Sequence, residues 1–152
     1  MKRFFYLSGI LFLLMACEEV YETPPQSLLQ VSFLNSETEK DISPKITVWG
    51  VGLDYLWVKD TALQEILLPL SANDTTSYLI SFDSVIDTVT FIHETTRKYE
   101  SMETGFYYEY QLQSIDFTNN RIRSIQITDS LVTKKWNENI TLYLRPLSAG
   151  GN

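Results

Sequence analysis

The sequence predicts an all-β fold, an antiparallel β-sandwich of about eight strands, Ig-like or similar, with a small β-barrel as the alternative. Three observations carry this expectation. Apolar residues recur with period two after residue 28, which puts alternate side chains on a core face. Thr, Val, Ile and Tyr are abundant, as pleated half-buried surfaces favour. Polar breakers punctuate the apolar runs, and no segment after the N-terminus has a convincing amphipathic helical pattern.

The elements follow in order. Leu29, Val31 and Phe33 alternate with polar residues, and "NSETEKDISP" ends that run. Ile46 and Val48 follow, closed by "GVG". "TALQEILL" could form a helical turn, but Pro69 and the β-branched neighbours favour a strand or loop. After "SANDTTS" come Tyr78, Ile80 and Phe82, then Val89 and Phe91. Phe106, Tyr108, Tyr110 and Leu112 alternate and assign the first three rings to a core face. The apolar phase then slips to Ile115 and Phe117, which predicts a β-bulge near Gln113-Ser114. A similar slip separates Ile122 from Ile125, before Ile140, Leu142 and Leu144 close the pattern.

Ahead of these strands lies a different kind of segment. Lys2 and Arg3 precede the short apolar run "FFYLSGILFLLM", and Leu14-Met15-Ala16-Cys17 follows. The run is too short for a transmembrane helix of about 20 residues and fits a secretory signal. The tetrapeptide resembles the lipobox of bacterial lipoproteins, in which the cysteine is acylated, palmitate being one such chain, and becomes the first residue. The expected division is 1–16 as lipoprotein signal peptide and 17–27 as lipidated cysteine and tether. Residues 28–146 form a single β-sandwich domain, and 147–152 a disordered tail. Cys17 is the only cysteine, so acylation leaves none for a disulfide. The partner implied is the membrane, and the expected location is the outer membrane, facing periplasm or cell surface. Glu18 and Glu19 resemble the acidic surface-display signal of Bacteroidota lipoproteins, and read equally as a solvated linker.

The 152 residues are 44% hydrophobic and 13% aromatic, with a formal net charge of −7. That is apolar surface enough for a core. No basic cluster exceeds a pair, so nucleic acid is not an expected partner. One histidine, one cysteine and no EF-hand spacing leave no metal site to expect, and no cofactor motif occurs. His93 with Glu94 or Glu100 is the one set that would suit a small envelope hydrolase, provided the three converge in a pocket. No G-x-S-x-G elbow is present. Trp49, Trp57, Tyr99, Tyr107 and Trp136 are the candidates for an exposed surface that binds an envelope protein or glycan, because flat rings stack on sugars and anchor interfaces. Five of the eight aspartates begin Asp-Ser/Thr triplets ending in a small or aliphatic residue. These resemble an O-glycosylation signal of exported Bacteroidota proteins, with acceptors Thr61, Thr75, Ser84, Thr88 and Ser130. They are also what turns leading into strands produce.

The stretches "TVWGVGLDYLW", "LLPLSANDTTSYLISF", "DTVTFIHE", "YESMETGFYYEYQL" and "NENITLYL" together resemble a Bacteroidota lipoprotein family, the domain of unknown function 6452 family. The resemblance implies no known activity. Relatives often carry a cysteine just before the Gly-Phe pair, where Thr104 stands here, so no disulfide carries over. A non-enzymatic, lipid-anchored binding or assembly module is the leading expectation. A small hydrolase and a structural spacer are the alternatives.

Overall fold

The computed structural model describes residues 26–52 and 56–147. Residues 1–16, Cys17 and the tether as far as residue 25 lie outside the described residues, as does the tail beyond Leu147.

Among the described residues there are ten strands: β1 (Leu28–Asn35), β2 (Lys45–Gly50), β3 (Leu56–Ala62), β4 (Glu65–Pro69), β5 (Thr75–Phe82), β6 (Val85–Ser101), β7 (Gly105–Phe117), β8 (Ile122–Ile127), β9 (Leu131–Val132) and β10 (Glu138–Leu144). They form two sheets packed face to face. Sheet A reads β4-β1-β10-β8 and sheet B reads β3-β2-β5-β6-β7-β9. The fold is a β-sandwich, and no barrel closes, since each sheet keeps two edges. The strand order differs from the ABED and CFG sheets of an immunoglobulin constant domain. "TALQEILL" divides between the end of β3 and β4 and contains no helix. The strands missing from the sequence expectation are edges. All but one residue of β3 are exposed, so it has no alternation to read, and β9 has only two residues. One pairing is parallel, β1 with β10. The whole of sheet B separates those strands in sequence, which supplies the long crossover a parallel pair needs.

The alternating residues meet between the sheets. Leu29, Val31 and Phe33 from β1, with Ile140, Leu142 and Leu144 from β10, face Ile46, Val48, Ile80, Phe82, Val89 and Phe91. Phe33 and Phe82 touch edge to face across the layers, with centroids 5.7 Å apart. Each such side chain contributes about 1.5–3 kcal/mol on burial. Both phase slips are bulges. Ile92 pairs with Ser114 and His93 with Leu112, so Gln113 is the extra residue. Tyr143 pairs with Ser124 and Leu144 with Ile122, so Arg123 is the second.

The chain passes from sheet B to sheet A through residues 118–121, and the buried Asp87 carboxylate holds that crossing. Its Oδ1 accepts from the Thr118 hydroxyl (2.8 Å) and the Asn120 N–H (2.9 Å). Its Oδ2 accepts from the N–H groups of Arg121 (2.7 Å) and Ile122 (3.0 Å). Three of these four bonds satisfy main-chain N–H groups at the crossing that would otherwise lack a partner. Asp83 and Ser84 close the β5–β6 hairpin at φ 48° and 77°, as a type I′ turn demands.

Candidate functional site

The site is built where sheet B outruns sheet A. The β5–β6 ladder ends at Thr75–Ile92, with one further bond from the His93 N–H to the Asp74 carbonyl (2.9 Å). The β6–β7 ladder continues to Ser101–Gly105. Residues 94–101 and 105–109 therefore project as a two-stranded arm. Along its inner face the cross-strand pairs are His93–Leu112, Thr95–Tyr110, Arg97–Tyr108 and Tyr99–Phe106.

This face begins as core and ends in the open. His93, Leu112 and Tyr110 are buried, Tyr108 is 38% exposed, and Phe106 and Tyr99 are each 59% exposed. Met102, in the turn, is 95% exposed. The expectation that Phe106, Tyr108 and Tyr110 all belong to the core is corrected for the first two. Their phase is right, but sheet A offers only its strand ends opposite them. The exposed rings support one another instead. Tyr99 meets Phe106 edge-on at 5.4 Å, and the Arg97 guanidinium sits 4.6 Å from the Phe106 centroid.

A groove of about 310 Å³ lies beside the arm. Phe106, Tyr107, Tyr108 and Tyr110 form one wall. Pro69 and Leu70, at the end of β4, form another and are tied to sheet B by tyrosines. The Tyr110 hydroxyl donates to the Leu70 carbonyl at 2.9 Å, and that of Tyr78 donates to the Pro69 carbonyl. Gln26 and Ser27, just before β1, complete the rim. The Trp136 indole N–H donates to the Gln26 carbonyl at 2.9 Å and fixes that rim. Ser27 Oγ is buried without a hydrogen-bond partner.

The groove is electrically balanced. Lys134 pairs with Glu100, and its ammonium lies 4.0 Å from the Tyr107 ring centroid. The hydrogen bond from Lys134 holds the Glu100 carboxyl below its ordinary value, with help from Thr104 and against the effect of burial. Desolvation raises the Tyr107 phenol, and Glu109 adds to the effect. Burial also raises Tyr110. Both phenols are neutral at pH 7, so the surface offered is aromatic rings, hydroxyls and one closed ion pair.

The five sequence-selected aromatics divide. Tyr107 lines the groove, Trp136 braces it, and Tyr99 supports Phe106. Trp49 lies elsewhere, half-buried in a shallow apolar patch with Leu79 and Ile86. Trp57 on β3 donates its indole N–H to the Leu67 carbonyl at 2.7 Å, bridging the sheet edges. Phe106, Tyr108, Ser27 and Lys134 were not selected. The first two carried a signal in their shared phase; Ser27 and Lys134 carried none.

His93 is 1% exposed. Its Nε2 is 3.0 Å from the Thr76 hydroxyl and its Nδ1 is 3.2 Å from that of Thr95. Tyr110 packs edge-on against the ring at 5.2 Å. Burial lowers its pKa and Asp74 partly offsets this. Glu94 follows on the opposite, exposed face, and Glu100 is held by Lys134. The three groups proposed for a hydrolase do not converge. His93 lies in the middle of β6, not at a strand end. It shares the phase of Val89 and Phe91 and lies under the sandwich.

The triplet acceptors separate by access. Thr61, Thr75 and Ser84 are exposed. Thr88 is half-buried within β6, and Ser130 is half-buried with its Oγ accepting from Gln111 Nε2 at 2.6 Å. Several triplet aspartates have structural duties of their own. Asp60 and Asp83 take positive φ, Asp87 holds the crossing, and Asp129 Oδ1 accepts from the Leu131 N–H.

Neither the curated proteins nor the solved structures contain a match to this chain. Residues 45–144 match a family described as a family of unknown function, DUF6452, and the match spans β2 to β10. β1, at the centre of sheet A, lies before the matched stretch. With about two thirds of its length matched, the chain belongs to the DUF6452 family.

Proposed function

We propose that the protein is a non-enzymatic binding or assembly module of the cell envelope, anchored in the outer membrane by lipid on Cys17. The aromatic groove would receive an envelope protein or glycan. The uncovered aromatic face of the arm carries this reading, because a face patterned for burial and left open suits a partner. The Leu14-Met15-Ala16-Cys17 sequence supports the anchor. Gln26, on the groove rim, stands only nine positions after Cys17. A chain of that length reaches at most about 30 Å, so the groove would work close to the membrane. Thr61, Thr75 and Ser84 are the accessible acceptors for O-glycans, and none of the three lines the groove.

Native expression tests the anchor and the groove separately. Intact mass should show acyl chains on a protein beginning at Cys17, and Cys17→Ser should release it from the membrane fraction. Crosslinking in cells should capture an envelope component through residue 106 or 108. A protein that stays soluble with Cys17 intact would contradict the anchor. Capture at Trp49 but not at the arm would contradict the groove.

A further inference from the structure

We propose that the open edge of β7 accepts an extended peptide from another envelope protein as an added β-strand, seated in the aromatic groove. This rests on the binding role above and names the chemistry of its partner.

The groove follows a strand edge. It touches Phe106, Tyr107 and Tyr108 in succession. Successive residues of a strand point to opposite faces, so a cavity that touches all three runs along the edge. The opposite edge is taken by β6. The main chain of β7 therefore faces the groove.

The direction of its polar groups can be read from β9. The Leu112 N–H donates to the Ser130 carbonyl at 2.7 Å. Alternation then turns the N–H and C=O of Tyr110, Tyr108 and Phe106 to the same side. Tyr110 is met by Val132. β9 stops there, and no described strand pairs with Tyr108 or Phe106 on that side. Two residues thus present four strand-spaced main-chain groups in line with β9. A saccharide has no such repeat, whereas an extended peptide matches it rung for rung.

The other long edge is blunted in the ways sheet edges usually are. Asp60 bulges β3 at φ 47°, Lys45 pairs with Asp60 at 2.9 Å, and Trp57 reaches across to β4. The segment "GFYYE" at 105–109 has no proline or lysine, and the register shift beside it, between Tyr99 and Ser101, puts the extra residue, Glu100, on β6. The guest is further specified by the walls. Alternate side chains would lie on Phe106, Tyr108 and Leu70, and the others toward the Glu100–Lys134 pair. Because that pair is closed, the guest needs alternating apolar residues and no net charge.

The test uses the full chain in detergent and a phage-displayed library of random linear dodecapeptides. Selected peptides should carry alternating apolar residues and slow amide exchange at Phe106 and Tyr108 at least about tenfold. Tyr108→Pro deletes one outward N–H and should weaken capture by about tenfold or more, with the β6 ladder intact. Tyr108→Leu keeps that N–H and should lose clearly less capture than Tyr108→Pro. Circular dichroism reports whether each variant is folded, and the wild-type exchange result stands without either. Peptides that bind without slowing those amides overturn the proposal, as does equal loss in the two folded variants. Envelope polysaccharide bound instead of peptide overturns the added strand and leaves the binding role standing. Self-association that protects the same amides makes a second copy the occupant and overturns the foreign peptide. Failure of both peptide and polysaccharide to bind overturns the strand and the role together.

Discussion

Phe91 and Phe106 lie on the same face of sheet B, on adjacent strands, and both belong to period-two runs. Phe91 is 1% exposed and Phe106 is 59% exposed. The difference is not in their local sequence. Sheet A covers the first and ends before the second, so an identical pattern makes core in one half and an open aromatic face in the other. Alternation reports which way a side chain points; only the opposing layer decides whether anything meets it.

The sharpest break of this comparison is a pair of truncations. Phe91→Ala should cost about 3–5 kcal/mol, as large-to-small core changes do. Phe106→Ala should cost less than about 1 kcal/mol, the loss of its contacts with Tyr99 and Arg97. Denaturant unfolding of both variants checks this, and equal costs would mean the arm is packed as core. Asp87→Ala should come next, at about 3 kcal/mol, because it orphans buried main-chain donors at the crossing. Glu100→Gln, on the arm, should leave stability close to that of the wild type, since the carboxylate it replaces is exposed and screened.

His93 marks the boundary between the two halves, and its titration sharpens the comparison. Its pKa is lowered from 6.5 in the folded state, chiefly by burial. Below pH 6.5 the unfolded chain takes up the proton more readily, so stability should fall as pH drops through that window and stay level above it. Unfolding measured from pH 8 to 5 checks the slope. A fully exposed histidine would give none, and His93→Leu should remove this contribution. Trp57→Phe loses the bond to Leu67 and should cost about 1 kcal/mol.

Much of the covered half was legible in the sequence. The six residues of β1 and β10 that face the core alternate without interruption, and the phase slips located the bulges at Gln113 and Arg123. The β3 edge was not legible, because "LWVKDTA" exposes both faces and lacks a period. Nor could local pattern reveal that β1 and β10 pair in parallel, a contact between the two ends of the domain. At the site, Phe106 and Tyr108 showed their direction but not their exposure. Tyr107 was expected to stand free, yet Lys134 from the loop after β9 covers its ring. For His93, the charged neighbours Glu94 and Arg97 masked a phase that already placed it inward.

Amide exchange resolved residue by residue tests the open edge of β7 most directly. In the unliganded chain, Phe106 and Tyr108 should exchange quickly, while Tyr107, whose N–H turns toward β6, and the β5 amides of the covered half should exchange slowly. Slow exchange at all three arm residues would contradict an open edge, since it would mean that both sides of β7 are already paired.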